Sequence, residues 1–395
     1  MSTLSNRLRG TLDELRDAGT YKHLRHLTAP MAPVTHIDEI GEILVFCSNN
    51  YLGLANHPEV VEAGIAGLKK YGAGTASVRF ICGTFDCHLE LEERIANFLG
   101  TEAALTYVSC WNANEGLITN LVQEGDAIVS DELNHASIID ATRLARQATR
   151  KVYAHSDIDA LRTILREVDQ VPVKVVVTDG VFSMEGDVAR LPELVAVCSE
   201  HGATLVVDDS HGTGVLGEHG RGVHEHSGVS AKGPGGVDIF TGTLGKALGG
   251  AAGGYVAGPR EVIDYLIQRS RPQLFSNALP PTVACSAAKA LEVLQREPER
   301  VARLHENVAK MRGGLRNLGY EVLASPTAIL PIIVGDTAEA IRMSNELLKK
   351  GIFVIGFGFP VVPEGAARLR IQMSAAHTDE HIERALKAFE ELRAS

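Results

Sequence analysis

The stretch Thr241-Gly242-Thr243-Leu244-Gly245-Lys246-Ala247-Leu248-Gly249-Gly250 sets one lysine in a loop of small residues. A lysine so placed can hold an aldehyde cofactor as a Schiff base. A phosphate-cradling Walker loop competes for the same letters, but it needs a glycine five residues before its Gly-Lys pair and a Ser or Thr after it. Phe240 and Ala247 occupy those positions, so both requirements fail.

Upstream, the apolar, β-branched run Thr204-Leu205-Val206-Val207 ends in Asp208-Asp209-Ser210-His211-Gly212. This reads as a buried strand delivering an acid and a histidine at its C-terminal end, where open α/β sheets bind their ligands. In a pyridoxal phosphate enzyme such an acid faces the pyridine nitrogen and keeps it protonated, which makes the ring an electron sink. His211 can hydrogen-bond the phenolic oxygen of the same ring. Two further strand runs break into polar turns: Val173–Thr178 into Asp179-Gly180-Val181-Phe182-Ser183-Met184, and Ala127–Asp131 into Glu132-Leu133-Asn134-His135-Ala136-Ser137. Beside Asp208, His211 and Lys246, His135 is a candidate to stack on an aromatic cofactor ring.

Gly212-Thr213-Gly214-Val215-Leu216-Gly217 matches the dinucleotide fingerprint by letter. That fingerprint has to open a helix. Residues 218–228 instead carry repeated glycines and no helical apolar period, so a dinucleotide oxidoreductase rests on this match alone. His224 and His226 read as a polar surface loop, because no carboxylate or cysteine cluster stands near them at metal-ligand spacing.

Taken in order, Asn134-His135-Ala136-Ser137, Asp179–Met184, Asp208-Asp209-Ser210-His211 and Thr243-Leu244-Gly245-Lys246 resemble the motifs of the α-oxoamine synthases. These are fold-type I pyridoxal phosphate enzymes that condense an amino acid with an acyl-CoA thioester, and the resemblance runs from about Phe46 to His377. The segments Phe46–Pro58, Ala76–Thr84, Arg269–Pro272, Phe359–Pro363 and Arg368–Thr378 resemble the branch that joins glycine to acetyl-CoA and keeps the glycine carboxylate. The neighbouring branch uses alanine and a pimeloyl thioester and loses the carboxylate, and some relatives accept several acyl-CoAs. A catalytically silent subunit on the same fold is a further alternative, weakened by the presence of Lys246, Asp208 and His211.

The resemblance implies a role for each matching residue. Lys246 carries pyridoxal 5'-phosphate and then acts as base, Asp208 and His211 bind its ring, and His135 stacks on it. Cys110 and Trp111 offer backbone amides to the phosphate just before a helix expected near Asn114, with Thr243 adding a hydroxyl; Trp111 stands where a smaller aromatic is expected. Ser276 and Asn277 match a position that reaches the phosphate of a neighbouring subunit, implying a homodimer with shared active sites. Arg370 would clamp the glycine carboxylate, assisted by Asn50 and Ser183. Arg368, two residues earlier on an expected strand and therefore on the same face, reads as a rim residue. A threonine dehydrogenase is a candidate partner by the same resemblance.

The elements that must position these residues alternate. Helices are expected from Pro58 to Lys70, His88 to Leu99 and Asn114 to Val122, with strands at Ala104–Tyr107 and at the runs already given. Such alternation predicts a mainly parallel sheet covered on both faces. A long helical segment from Thr282 to about Leu318 follows, then Ala328–Val334, a helix Ala338–Lys350, a strand Ala367–Met373 and a helix Asp379–Leu392. The expected fold class is thus α/β, of the fold-type I aminotransferase-like kind. Its parts are an arm and strand segment over 1–57, a cofactor-binding domain over 58–285 and a smaller α+β domain over 286–395. Leu4, Leu8, Leu12 and Leu15 recur at helical spacing in the arm, which is too short to be stable unless it packs on a partner or on the body.

A net charge of −11 argues against nucleic acid, whose phosphates require a basic face. The six cysteines form no C-x-x-C pair, and no apolar run is long enough for a bilayer, so a reduced cytoplasmic enzyme without a membrane or metal partner is expected.

Overall fold

β-Branched runs and helical stripes alternate in the computed structural model as their periodicity predicts; it describes residues 2–359 and 361–393. Pro360, in the Phe359–Pro363 segment of the resemblance, lies outside them. The arm forms a helix, Thr3–Asp17, opened by Ser2, whose Oγ accepts from Ser5 N. No residue of this helix is buried, and its leucine stripe stays exposed. Next come β1 (Val34–Ile37) and β2 (Gly41–Val45), an antiparallel hairpin.

Seven strands make the large sheet: β3 (Ala103–Tyr107), β4 (Ala127–Asp131), β5 (Thr149–Tyr153), β6 (Lys174–Asp179), β7 (Thr204–Asp208), β8 (Ile239–Thr243) and β9 (Gly254–Gly258). Their spatial order is β3-β9-β8-β7-β6-β4-β5. β9 runs antiparallel to both neighbours, and the other pairs are parallel. Every residue of β4 and β6 is buried, which is why these strands read as continuous apolar runs rather than as alternation. Each fully buried valine of the set Val129, Val176, Val177, Val206 and Val207 contributes roughly 1.5–3 kcal/mol relative to exposure.

The second sheet holds β10 (Ile329–Gly335), β12 (Ile355–Phe357) and β13 (Ala367–Gln372), all antiparallel, while β11 (Ile352–Phe353) pairs in parallel with β2. The N-terminal hairpin therefore closes on the C-terminal region, where Gln372 N also donates to Phe46 O at 2.8 Å.

Three expectations need correction. The long segment from Thr282 is two helices, Pro281–Arg296 and Glu299–Asn317, because Pro298 has no N–H to donate and disfavours helical geometry at Glu297. The helix expected near Asn114 starts at Cys110, since Ser109 caps it by accepting from Asn112 N at 3.2 Å. His224 is no surface residue: it is buried against Phe240, ring centroids 5.0 Å apart, and burial lowers its pKa to about 4. The expected domain limit at 285/286 falls within the helix Pro281–Arg296.

Candidate active site

The C-terminal ends of β4, β6, β7 and β8 lie side by side at one edge of the sheet. Parallel register sets Asp179 opposite Asp208 and Asp208 opposite Thr241. The turns that leave these ends enclose a cavity of about 230 Å³, walled by Cys110, Trp111, His135, Ser183, Asp208, His211, Thr243 and Lys246 among others. Eight residues singled out from the sequence thus converge on one space.

Asp208 is held rigidly. Its Oδ2 accepts from Asn114 Nδ2 at 2.6 Å and its Oδ1 from Ser210 N at 3.0 Å. Asn114 is itself tied down, donating to Ser137 Oγ at 3.0 Å and accepting from Thr241 Oγ1 at 2.8 Å. Asp179 beside it is pushed well above the usual carboxylate range by burial and by the Asp208 charge, although the His135 amide donates to it at 2.7 Å.

Lys246 has no ion pair among the described residues, and burial lowers its pKa against the pull of Asp208, Cys110 and Asp179. Such an amine is more often unprotonated and a better nucleophile than a solvated lysine.

His135 caps the helix Ala136–Leu144, its Nδ1 accepting from Ser137 N at 3.2 Å. That bond leaves the ring proton on Nε2, and burial lowers the pKa, so the ring is a neutral flat surface with the Trp111 ring edge-on at 6.2 Å. His211 is neutral too, because burial and the nearby Lys246 drive its pKa well down. Its Nδ1 lies 2.8 Å from Tyr51 Oη, which also accepts from Gln372 Nε2 at 2.8 Å. The phenol has one proton, and its alternative acceptor, Asn49 Oδ1, is farther away at 3.4 Å. Tyr51 therefore donates to His211, whose remaining N–H on Nε2 is a donor for an acceptor oxygen in the cavity.

The helix Cys110–Leu121 points its N-terminus at the cavity, where free amides and the helix dipole favour an anion. Gly254 permits this approach: a Cβ there would lie 2.3 Å from Cys110 N. Thr243 Oγ1 accepts from Gly245 N at 3.0 Å and donates to Gly253 O at 3.2 Å, so its proton is engaged within the loop.

Four expected residues stand outside the cavity wall. Arg370 donates from Nη1 to Ser183 O at 3.0 Å and lies over the Phe357 ring at 4.6 Å, while its buried Nε has no partner. Asn50 uses its amide on the main chain, donating to Met31 O at 3.3 Å and accepting from Ala55 N at 3.1 Å. Ser276 and Asn277 follow the short helix Arg271–Phe275 and do not line the cavity. The reading of Arg368 as a rim residue is wrong: it is 5% exposed, pairs with Glu185 at 3.1 Å and donates to Met184 O and Ala366 O at 3.0 Å. Ser109 and Asp179 in the cavity wall and Asn114 behind Asp208 are functional residues not picked out from the sequence. A serine four residues before Ala113 at a strand-to-helix junction signals a cap, and Asp179 ends a strand as Asp208 does; nothing local marks Asn114.

Elsewhere, His57, Glu59 and Glu297 approach at ligand spacing, but Arg296 pairs with both glutamates at 2.5 and 2.6 Å and supplies their countercharge.

Residues 41–389 match the family model of aminotransferases of class I and II. The chain belongs to that family. Within it, the α-oxoamine synthase resemblance holds over nearly the whole length. The mitochondrial 2-amino-3-ketobutyrate coenzyme A ligase of Bos taurus is 46% identical over 98% of this chain and 92% of that protein. The 8-amino-7-oxononanoate synthase of Symbiobacterium thermophilum is 45% identical over 96% and 95%. A lysine-to-alanine variant of serine palmitoyltransferase from S. paucimobilis, solved with a bound PLP–myriocin aldimine, superposes with a TM-score of 0.92 at 31% identity over 100% of this chain and 99% of that one. Among the described residues, no helix is long and apolar enough to cross a membrane.

Proposed function

We propose that this family member is a pyridoxal phosphate-dependent acyltransferase that joins glycine to acetyl-CoA, yielding 2-amino-3-ketobutyrate and CoA. One observation carries the reading: Lys246, without an ion pair, shares a cavity with the fixed carboxylate of Asp208, while Arg370 keeps an unpartnered Nε beside the Ser183 turn. The 46% identity to the bovine ligase supports the choice of substrates.

The residues fit pyridoxal phosphate. An acid for the ring nitrogen, a donor for the ring oxygen, a neutral histidine as stacking surface and a helix N-terminus for the phosphate all face one space. When bound, the cofactor supplies an electron sink that makes an amino-acid α-proton removable. Lys246 Nζ would hold the cofactor's aldehyde and would be the base for the substrate α-proton, a task for which its lowered pKa suits it. Asp208 would face the ring nitrogen and keep it protonated, and His211 Nε2–H would be available to the ring oxygen. Cys110 and Trp111 would offer amides to the phosphate, and the Thr243 hydroxyl, which now donates to Gly253 O, lies in the same wall. Arg370 would grip the substrate carboxylate through paired N–H donors, its Nε being without a partner. Ser183 lines the same space, and Asn50 has a second amide N–H beyond its bond to Met31 O.

Ser276 and Asn277 of a second copy complete the phosphate site in this reading. Phe80, Ile81 and Phe275 are exposed on the short helices Arg79–Cys82 and Arg271–Phe275, which touch, and offer apolar side chains that a homodimer would cover.

The 45% identity to 8-amino-7-oxononanoate synthase carries a second reading, alanine with a pimeloyl thioester and loss of the carboxylate. Comparing kcat/KM for acetyl-CoA, octanoyl-CoA and a pimeloyl thioester, each with glycine and alanine, separates them. Acetyl-CoA with glycine is expected to be the best pair. Preference for the pimeloyl thioester and alanine, with stoichiometric carbon dioxide, would replace the first reading by the second.

A further inference from the structure

His155 lies just beyond β5, outside the cavity wall, between the two turns that carry much of the site. Its Nδ1 is 3.0 Å from Asp131 Oδ1 and its Nε2 2.8 Å from Asp187 Oδ2. Both partners are carboxylates, which accept, so both ring nitrogens donate and the ring is an imidazolium. Burial opposes that charge, but the two acids outweigh it and raise the pKa to about 10. The ring also stands edge-on to Phe182, centroids 4.3 Å apart.

Each arm leads to a site residue. Asp131 accepts from Leu133 N at 2.9 Å and from Ser156 N at 3.0 Å, shaping the turn that ends at His135; Ser156 takes up φ +55° to reach it. Asp187 closes the other turn, its carbonyl accepting from Phe182 N at 3.1 Å, and within that turn Ser183 O receives Arg370. The other charges near the ring are Glu132, whose Oε1 accepts from His155 N at 2.9 Å, and Glu185, held by Arg368 at 3.1 Å. Among the contacts described, the imidazolium is the one group bonded to acids of both turns.

We propose that His155 is a positioning residue, a doubly bonded imidazolium that ties the His135 turn to the Ser183–Asp187 turn and thereby sets the stacking surface relative to Arg370. Its kinetic consequence rests on the function proposed above; its structural consequence does not. Replacement by Gln removes the charge and one arm, and replacement by Lys keeps the charge.

Hydrogen–deuterium exchange on the purified full-length protein reads the structural part. In His155→Gln, peptides covering 131–137 and 182–187 are expected to exchange faster, with the helix Glu299–Asn317 unchanged and His155→Lys restoring slower exchange. Steady-state kinetics reads the other part: KM for glycine should rise about tenfold in His155→Gln, as expected for loss of a charge-assisted bond, with kcat and the KM for acetyl-CoA moving far less. Wild-type exchange in both turns of His155→Gln would overturn the proposal. If that variant loosens throughout, Asp187→Asn cuts one arm alone: faster exchange confined to 182–187 supports the clamp, and no change there refutes it. A wild-type protein that releases no CoA with glycine, yet shows the exchange pattern, defeats the proposed function and leaves the clamp standing.

Discussion

Replacing Arg370 by Lys tests the carboxylate site most directly. Arg370 spends Nη1 on Ser183 O at 3.0 Å, rests on Phe357 at 4.6 Å and holds Nε without a partner. A carboxylate approaching the guanidinium receives two parallel N–H bonds, and a lysine ammonium at the same place offers a point charge without that geometry. The Coulomb attraction survives the substitution, so the loss is about one charge-assisted hydrogen bond, roughly 1.5–3 kcal/mol. At about 1.4 kcal/mol per factor of ten, KM for glycine should rise about ten- to a hundredfold. KM for acetyl-CoA should stay within about twofold, since the thioester has no carboxylate to lose. Free-thiol release, with each substrate varied at saturation of the other, measures both. Arg368→Lys is the control: its donors are committed to Glu185, Met184 O and Ala366 O, so it should lower the melting temperature and leave glycine affinity nearly unchanged. A glycine KM within about threefold of wild type in Arg370→Lys, or a larger effect in Arg368→Lys, would refute the assignment.

Borohydride reduction of the pyridoxal phosphate-loaded enzyme followed by peptide mapping should place the label on Lys246; a label on another lysine sinks the cofactor assignment. If sites are shared, mixing Lys246→Ala with a Ser276→Ala/Asn277→Ala double variant should restore activity that neither has alone, and sedimentation should find no active monomer. Burial raises the pKa of Asp209 to about 8, above its unfolded value near 3.9, so the folded state binds the extra proton and stability falls as pH rises through this interval toward 8. Asp209→Asn should therefore flatten the decline in melting temperature between about pH 6 and 8; an unchanged slope counts against a protonated Asp209.

Local chemistry was enough to place the reactive strand ends. β-Branched runs can be buried only as strands or core segments, and where each breaks into Asp, His or Ser the polar group must sit at the edge of the core. That is why Lys246, Asp208, His211, His135 and Ser183 were legible, and why they meet in one cavity. The break at Pro298 also had a local signal, a missing N–H that is a property of the residue itself, but the expectation of one long helical segment passed over it. Tertiary structure alone decided the rest. Register in a parallel sheet, which no periodicity encodes, set Asp179 opposite Asp208. Tyr51 reaches His211 across 160 residues and thereby sets the proton on its ring. Arg368 and Arg370 share one strand face, as their spacing required, yet the turn they meet supplies Glu185 to one and a backbone carbonyl to the other. His155 gave no signal at all, because its role depends on two carboxylates brought to it from different strand ends. Charge pairing between distant segments is settled only when the chain has packed, so residue type and spacing located the chemistry while the fold assigned the partners.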